Sequence, residues 1–220
     1  MPLHSIFAAL FTLLVTISTS FAIALEPGWR DDQAIDVGGE TRYYRVFVPE
    51  SLPSTAPATV FVLHGGTGSM RSIMPPADVA SAEWPALADR HRFILIVPNG
   101  INRNTGDAFG DDQNWNDCRD NVPGDIRGDD VAFLDALIDW SLDALGTDPT
   151  RVYFTGASNG GMMSLRMASE RPEQVAAVAA FIANQPDGTE CAEPTRGVPM
   201  LLAHGTEDPL VPYAGGPVVG

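Results

Sequence analysis

The residues most able to do chemistry lie in Gly156-Ala157-Ser158-Asn159-Gly160-Gly161, which follows the apolar run Tyr153-Phe154-Thr155 and precedes a helical pattern. This is G-x-S-x-G in the setting that gives it meaning: strand, sharp turn, helix. The glycines have a steric task. At so tight a turn, flanking side chains would collide with the neighbouring strand and helix, and the serine itself is held in a strained conformation. Ser158 Oγ is thereby lifted above a sheet edge at a helix N-terminus, where backbone N–H groups favour negative charge. The chemistry implied is nucleophilic attack by Ser158. A Gly-rich strand–helix turn can instead bind phosphate, but the Lys and the glycine spacing of that use are absent.

A serine nucleophile needs an oxyanion hole, an acid and a base. Val60-Phe61-Val62-Leu63 runs into His64-Gly65-Gly66-Thr67-Gly68-Ser69, a Gly-rich loop that lets backbone N–H groups approach a developing oxyanion. Asn159 N–H is one expected donor and Gly66 or Thr67 the other. His64 reads as a residue that orders this loop rather than as a base. Pro199-Met200-Leu201-Leu202-Ala203 leads into His204-Gly205-Thr206-Glu207-Asp208-Pro209. An acid after a late strand fits the chain order Ser…Asp…His, so Asp208 is the expected acid. The base should follow it, yet only 12 residues do (220 − 208) and none is His. The four histidines are His4, His64, His91 and His204, with His204 read as a brace for the acid loop. Either a base comes from an unusual place, or the chain is most of a domain that runs on beyond Gly220; the second is the expectation, with negligible turnover by this chain itself.

Composition narrows the alternatives. The 220 residues carry 13 cations, all Arg, against 28 Asp+Glu, a net charge of −15. Such acidity argues against electrostatic nucleic-acid binding and against docking on anionic membranes. The absence of Lys excludes Schiff-base and lysine-anchored pyridoxal chemistry. Met1–Leu25 has no charged side chain, an apolar core at Ile6–Ile17 and a small-x-small site at Ala22-Ile23-Ala24. Residues 1–24 read as a cleaved secretory signal and 25–220 as the domain, with no stable membrane association after cleavage. In an oxidising compartment the two cysteines, Cys118 and Cys191, suggest a disulfide.

These residues must be held by something. Short apolar runs at Tyr43–Val48, Thr59–Leu63, Phe93–Val97, Val152–Thr155, Ala176–Ile182 and Pro199–Ala203 suit strands covered on both faces. Helical spacing appears at Trp84–His91, Asp129–Leu145 and Asn159–Glu170. Alternation of the two predicts an α/β fold, a mostly parallel sheet with helices on both faces. Asn99–Gly128 reads as a long functional excursion.

Taken together, the motifs resemble the secreted α/β-hydrolase esterases of the polyhydroxybutyrate depolymerase-like and feruloyl esterase family, carbohydrate esterase family 1. The matching pieces are Leu63-His64-Gly65-Gly66, Pro98-Asn99-Gly100, Asn114-Trp115-Asn116-Asp117-Cys118-Arg119, Asp129-Asp130-Val131, Val152 to Met163 and His204 to Tyr213. The resemblance implies an α/β-hydrolase fold and a secreted serine esterase; a monomer is expected. It implies no metal and no cofactor, Ser158 as nucleophile, Asp208 as acid and a Cys118–Cys191 bridge. It also sets Trp115 near the acyl pocket, with Met162 at the rim, where an aryl ester or a hydroxyalkanoate chain would bind. The partner expected is an ester substrate, small or polymer-borne. A serine peptidase and a non-catalytic binding protein on the same fold are the alternatives.

Overall fold

The computed structural model describes residues 26–74, 83–119, 128–186 and 192–218. The expected signal segment lies outside these residues, as does Cys191. Seven strands form one sheet: β1 Gly28–Val37, β2 Glu40–Val48, β3 Thr59–Leu63, β4 Ile94–Pro98, β5 Val152–Ala157, β6 Ala177–Phe181 and β7 Met200–Ala203. Their spatial order is β1-β2-β4-β3-β5-β6-β7. Strands β3 to β7 run parallel, whereas β1 and β2 join antiparallel at one edge. Helices α1 Trp84–His91, α2 Asp130–Leu145 and α3 Asn159–Glu170 supply the cover. The mostly parallel sheet expected from the sequence is thus present.

Alternate residues of the central strands feed two separate cores. Ile94 and Ile96 of β4 pack with Phe61, Leu63 and the α2 and α3 side chains, while Leu95 and Val97 pack with Phe47, Val62 and Ala88 of α1. That double burial is why these strands read as continuous apolar runs. Phe133, Leu134 and Leu137 of α2 are fully buried, each stabilising by about 2 kcal/mol relative to exposure. The ends of α2 are set by Asp129, whose side chain accepts from Ala132 N–H at 3.0 Å, and by Gly146 in the left-handed conformation.

One strand was not anticipated. β1 is joined to β2 by Gly38-Gly39, both at positive φ (62° and 90°). A two-residue turn of that kind matches the twist of a hairpin. At the opposite edge, β7 leaves Met200, Leu201 and Leu202 46–61% exposed.

Candidate active site

Ser158 occupies the turn between β5 and α3 at φ 53°, ψ −126°, a conformation that costs a non-glycine residue about 1–3 kcal/mol. Its N–H donates to Phe181 O at 2.9 Å, which ties the turn to β6. A Cβ on Gly156 would lie 2.6 Å from Gly160 C, and one on Gly160 would lie 2.3 Å from His64 O. Strand β3, the turn and α3 therefore meet too closely for any side chain at these two positions. Ser158 is partly exposed, and Asn159 is buried at the first turn of α3. The N–H groups of that turn have no partner within the helix.

The loop after β3 lies against this elbow. A Cβ on Gly65 would be 3.5 Å from Ala157 O and 3.9 Å from Ser158 Cβ. Gly68 N–H donates to Gly65 O at 3.1 Å and closes a turn in which Thr67 takes φ 59°. Gly66 and Thr67 are both exposed. Thr67 N–H points at Asn114 Oδ1 at 3.4 Å. His64 sits beneath the loop with both ring nitrogens engaged. Nδ1 lies 2.8 Å from Gly65 O, and Nε2 accepts from Gly100 N–H at 3.0 Å. Only the tautomer with hydrogen on Nδ1 fits that pair of partners. Complete burial pushes its pKa down to about 4, with the nearby Arg42 charge acting in the same direction. His64 is thus a neutral structural imidazole.

The segment Asn114–Asp117 runs under both loops. The Asn159 side chain receives Trp115 N–H at Oδ1 (2.7 Å) and donates from Nδ2 to Trp115 O (3.0 Å) and Asp117 Oδ2 (2.6 Å). Trp115 Nε1 donates to His64 O at 2.9 Å, and its ring packs on the His64 imidazole with centroids 4.8 Å apart. Arg119 Nε reaches both oxygens of Asp117, at 3.0 and 2.9 Å. Asn114 and Asp117 are legible in the sequence only as members of a motif, without a role.

Asp208 lies in the loop after β7, at the same sheet edge as Ser158, with β6 between their strands. Its Oδ1 accepts the N–H groups of Leu210 (2.8 Å) and Val211 (2.9 Å). Those bonds, Val211's first, hold its carboxyl below the usual range, so it is ionised at neutral pH. His204 Nε2 lies 2.6 Å from Val211 O, which binds that imidazole to the acid loop.

Two assignments need correction. Trp115 is 0% exposed and Met162 1%, both within the main core. Neither offers a face to substrate as an acyl pocket would require. The Trp115 indole satisfies its polar edge on His64 O and serves as foundation, and Met162 packs inward from the first turn of α3. Cys118 is buried, and among the described residues no cysteine is free. Its expected partner, Cys191, lies outside the described residues. No described helix is long and apolar enough to cross a membrane.

A mostly parallel sheet with a strained serine on the turn from β5 to α3 defines the α/β-hydrolase fold. A crystal structure of a thermostable esterase shares it, with a TM-score of 0.60 and 22% identity over 84% of this chain and 49% of that one. The chain belongs to the phospholipase/carboxylesterase family, whose model matches residues 50–218. It is 28% identical to feruloyl esterase D of Neurospora crassa, over 97% of this chain and 72% of that protein. It is 32% identical to poly(3-hydroxyalkanoate) depolymerase C of Paucimonas lemoignei, over 82% of this chain and 39% of that protein. The chain spans about half the length of most curated relatives it matches.

Proposed function

We propose that the full-length protein is a secreted serine carboxylic-ester hydrolase. The observation that carries this reading is Ser158, held at φ 53° on a turn whose flanking glycines admit no side chain, beside the 64–67 loop. Ser158 Oγ attacks the ester carbonyl carbon and its proton passes to an imidazole. The carbonyl oxygen becomes an oxyanion held by Asn159 N–H and a donor from the loop. Thr67 N–H already faces Asn114 Oδ1, which favours Gly66 as that second donor. The alcohol leaves with the proton, and water then releases the acid from the acyl-serine. Asp208, ionised and anchored through Oδ1, is suited to orient the imidazole. The bonds made by His64 and His204 argue against either in that role. The uncharged apolar N-terminus supports export, and the burial of Cys118 fits its pairing with Cys191.

With Trp115 buried, the acyl preference rests on the names of the relatives, which point to feruloyl esters first and hydroxyalkanoate esters second. The test is hydrolysis of methyl ferulate, hydroxybutyrate oligomers and a peptide anilide by the full-length protein and Ser158→Ala. Ester hydrolysis lost by a factor of at least ~10³ in the variant supports the reading. Cleavage of the anilide alone would favour a peptidase. A non-catalytic binding protein is the second reading, favoured by the engagement of both His64 and His204. It predicts no Ser158-dependent turnover of any substrate.

A further inference from the structure

We propose that Asn114–Asp117 is a strap that fixes the spacing of the oxyanion hole, with Asn114 and Asp117 as positioning residues. The proposal rests on the ester-hydrolase reading for its purpose, though not for its geometry. Within these four consecutive residues, Asn114, Trp115 and Asp117 touch the two donor loops. On one side Asn114 Oδ1 faces Thr67 N–H and would sit 3.1 Å from a Cβ on Gly66. On the other, the Trp115 backbone and Asp117 take every hydrogen bond of the Asn159 side chain described above. Trp115 Nε1 joins the two sides through His64 O.

The strap is itself anchored. Asn114 pairs with Ile101 through N–H donated at 2.8 Å and O accepting at 3.1 Å. Asn116 N–H donates to Asp130 Oδ2 at 2.6 Å, and Asn116 O accepts from Arg166 Nη1 at 2.6 Å. Asn159 carries the donor N–H and the clamped amide on the same residue, so the clamp on its side chain restrains the residue that presents that N–H. Asp117 is fully buried and its bond to Asn159 is charge-assisted. Its negative charge would oppose an oxyanion nearby, and the Arg119 guanidinium offsets it. Donors held in place before reaction cost no reorganisation when the oxyanion forms.

The test uses full-length protein and the variants Asp117→Ala and Asp117→Asn. Asn keeps an oxygen acceptor for Asn159 Nδ2. In Asp117→Ala, exchange of the Trp115 amide and indole protons, followed by NMR, should accelerate about tenfold while β2 and β4 amides keep their rates. Asp117→Asn should recover most of that protection. In parallel, kcat for an ester should fall roughly ten- to hundredfold with KM little changed. The corresponding thionoester, whose sulfur gains less from the hole, should be affected less. Unchanged exchange at Trp115, uniform acceleration throughout the sheet, or equal losses for ester and thionoester would overturn the proposal. Ester hydrolysis that survives Ser158→Ala would instead overturn the ester-hydrolase reading and leave the exchange result to judge the strap.

Discussion

Ser158 and His64 show how much a single residue type reveals and where it stops. The elbow around Ser158 was legible because its glycines answer a steric demand that the pattern itself encodes. His64 was legible as structural, because a His ahead of a Gly-rich loop has backbone groups to satisfy. Trp115 and Met162 were misread, since residue identity says nothing of depth, and an aromatic residue in a polar loop resembles a surface group. Asn114 and Asp117 were legible only as members of a motif and not by role, because their partners are 47 and 42 positions away. His64 also makes stability depend on pH. Unfolded, it takes up a proton near pH 6.5, but folded only near 4. The unfolded state thus binds more protons between those values. The stabilisation is complete above about pH 6.5 and disappears as pH falls toward 4, roughly 3 kcal/mol in all. Resistance to urea unfolding should fall from pH 7 to about pH 5, a range above most carboxylate titration, and His64→Gln should flatten that slope. Equal slopes would contradict the buried neutral imidazole.

At the scale of elements, β3, the elbow and α3 behave as one packed unit. Gly160→Ala would drive a methyl group into the carbonyl oxygens of Leu63 and His64, at 2.4 and 2.3 Å. The expected loss is about 3 kcal/mol, read as a lower denaturation midpoint, whereas Gly197→Ala, with open space around it, should change stability little. The buried strands and all three helices were legible because their burial imposes a pattern, apolar runs for one and 3.6-residue spacing for the other. β1 escaped because it is an edge strand whose sequence, Gly-Trp-Arg-Asp-Asp-Gln, is largely polar and pairs on one side only. The Gly38-Gly39 pair was its one clear signature. The register irregularity between Arg30 and Gln33, with Asp32 at φ 52°, removes even its alternation.

For the molecule as a whole, charge and edge act in opposite directions. The net charge of −15 keeps copies apart. Among the described residues, strand β7 is last in the sheet order and presents exposed Met200, Leu201 and Leu202, a template on which another strand can pair. The 220-residue chain should self-associate in sedimentation experiments as salt screens its charge, and Leu202→Lys should reduce that association. No effect of the substitution would mean that β7 is not the contact. The central claim, that this assembly exists to make Ser158 a nucleophile toward acyl groups, is tested most directly by a fluorophosphonate probe. Folded full-length protein exposed to the probe should gain one adduct by intact mass, located on the peptide containing Ser158 and absent from Ser158→Ala. A folded sample that takes up no adduct, or one that labels equally in the variant, would contradict the account.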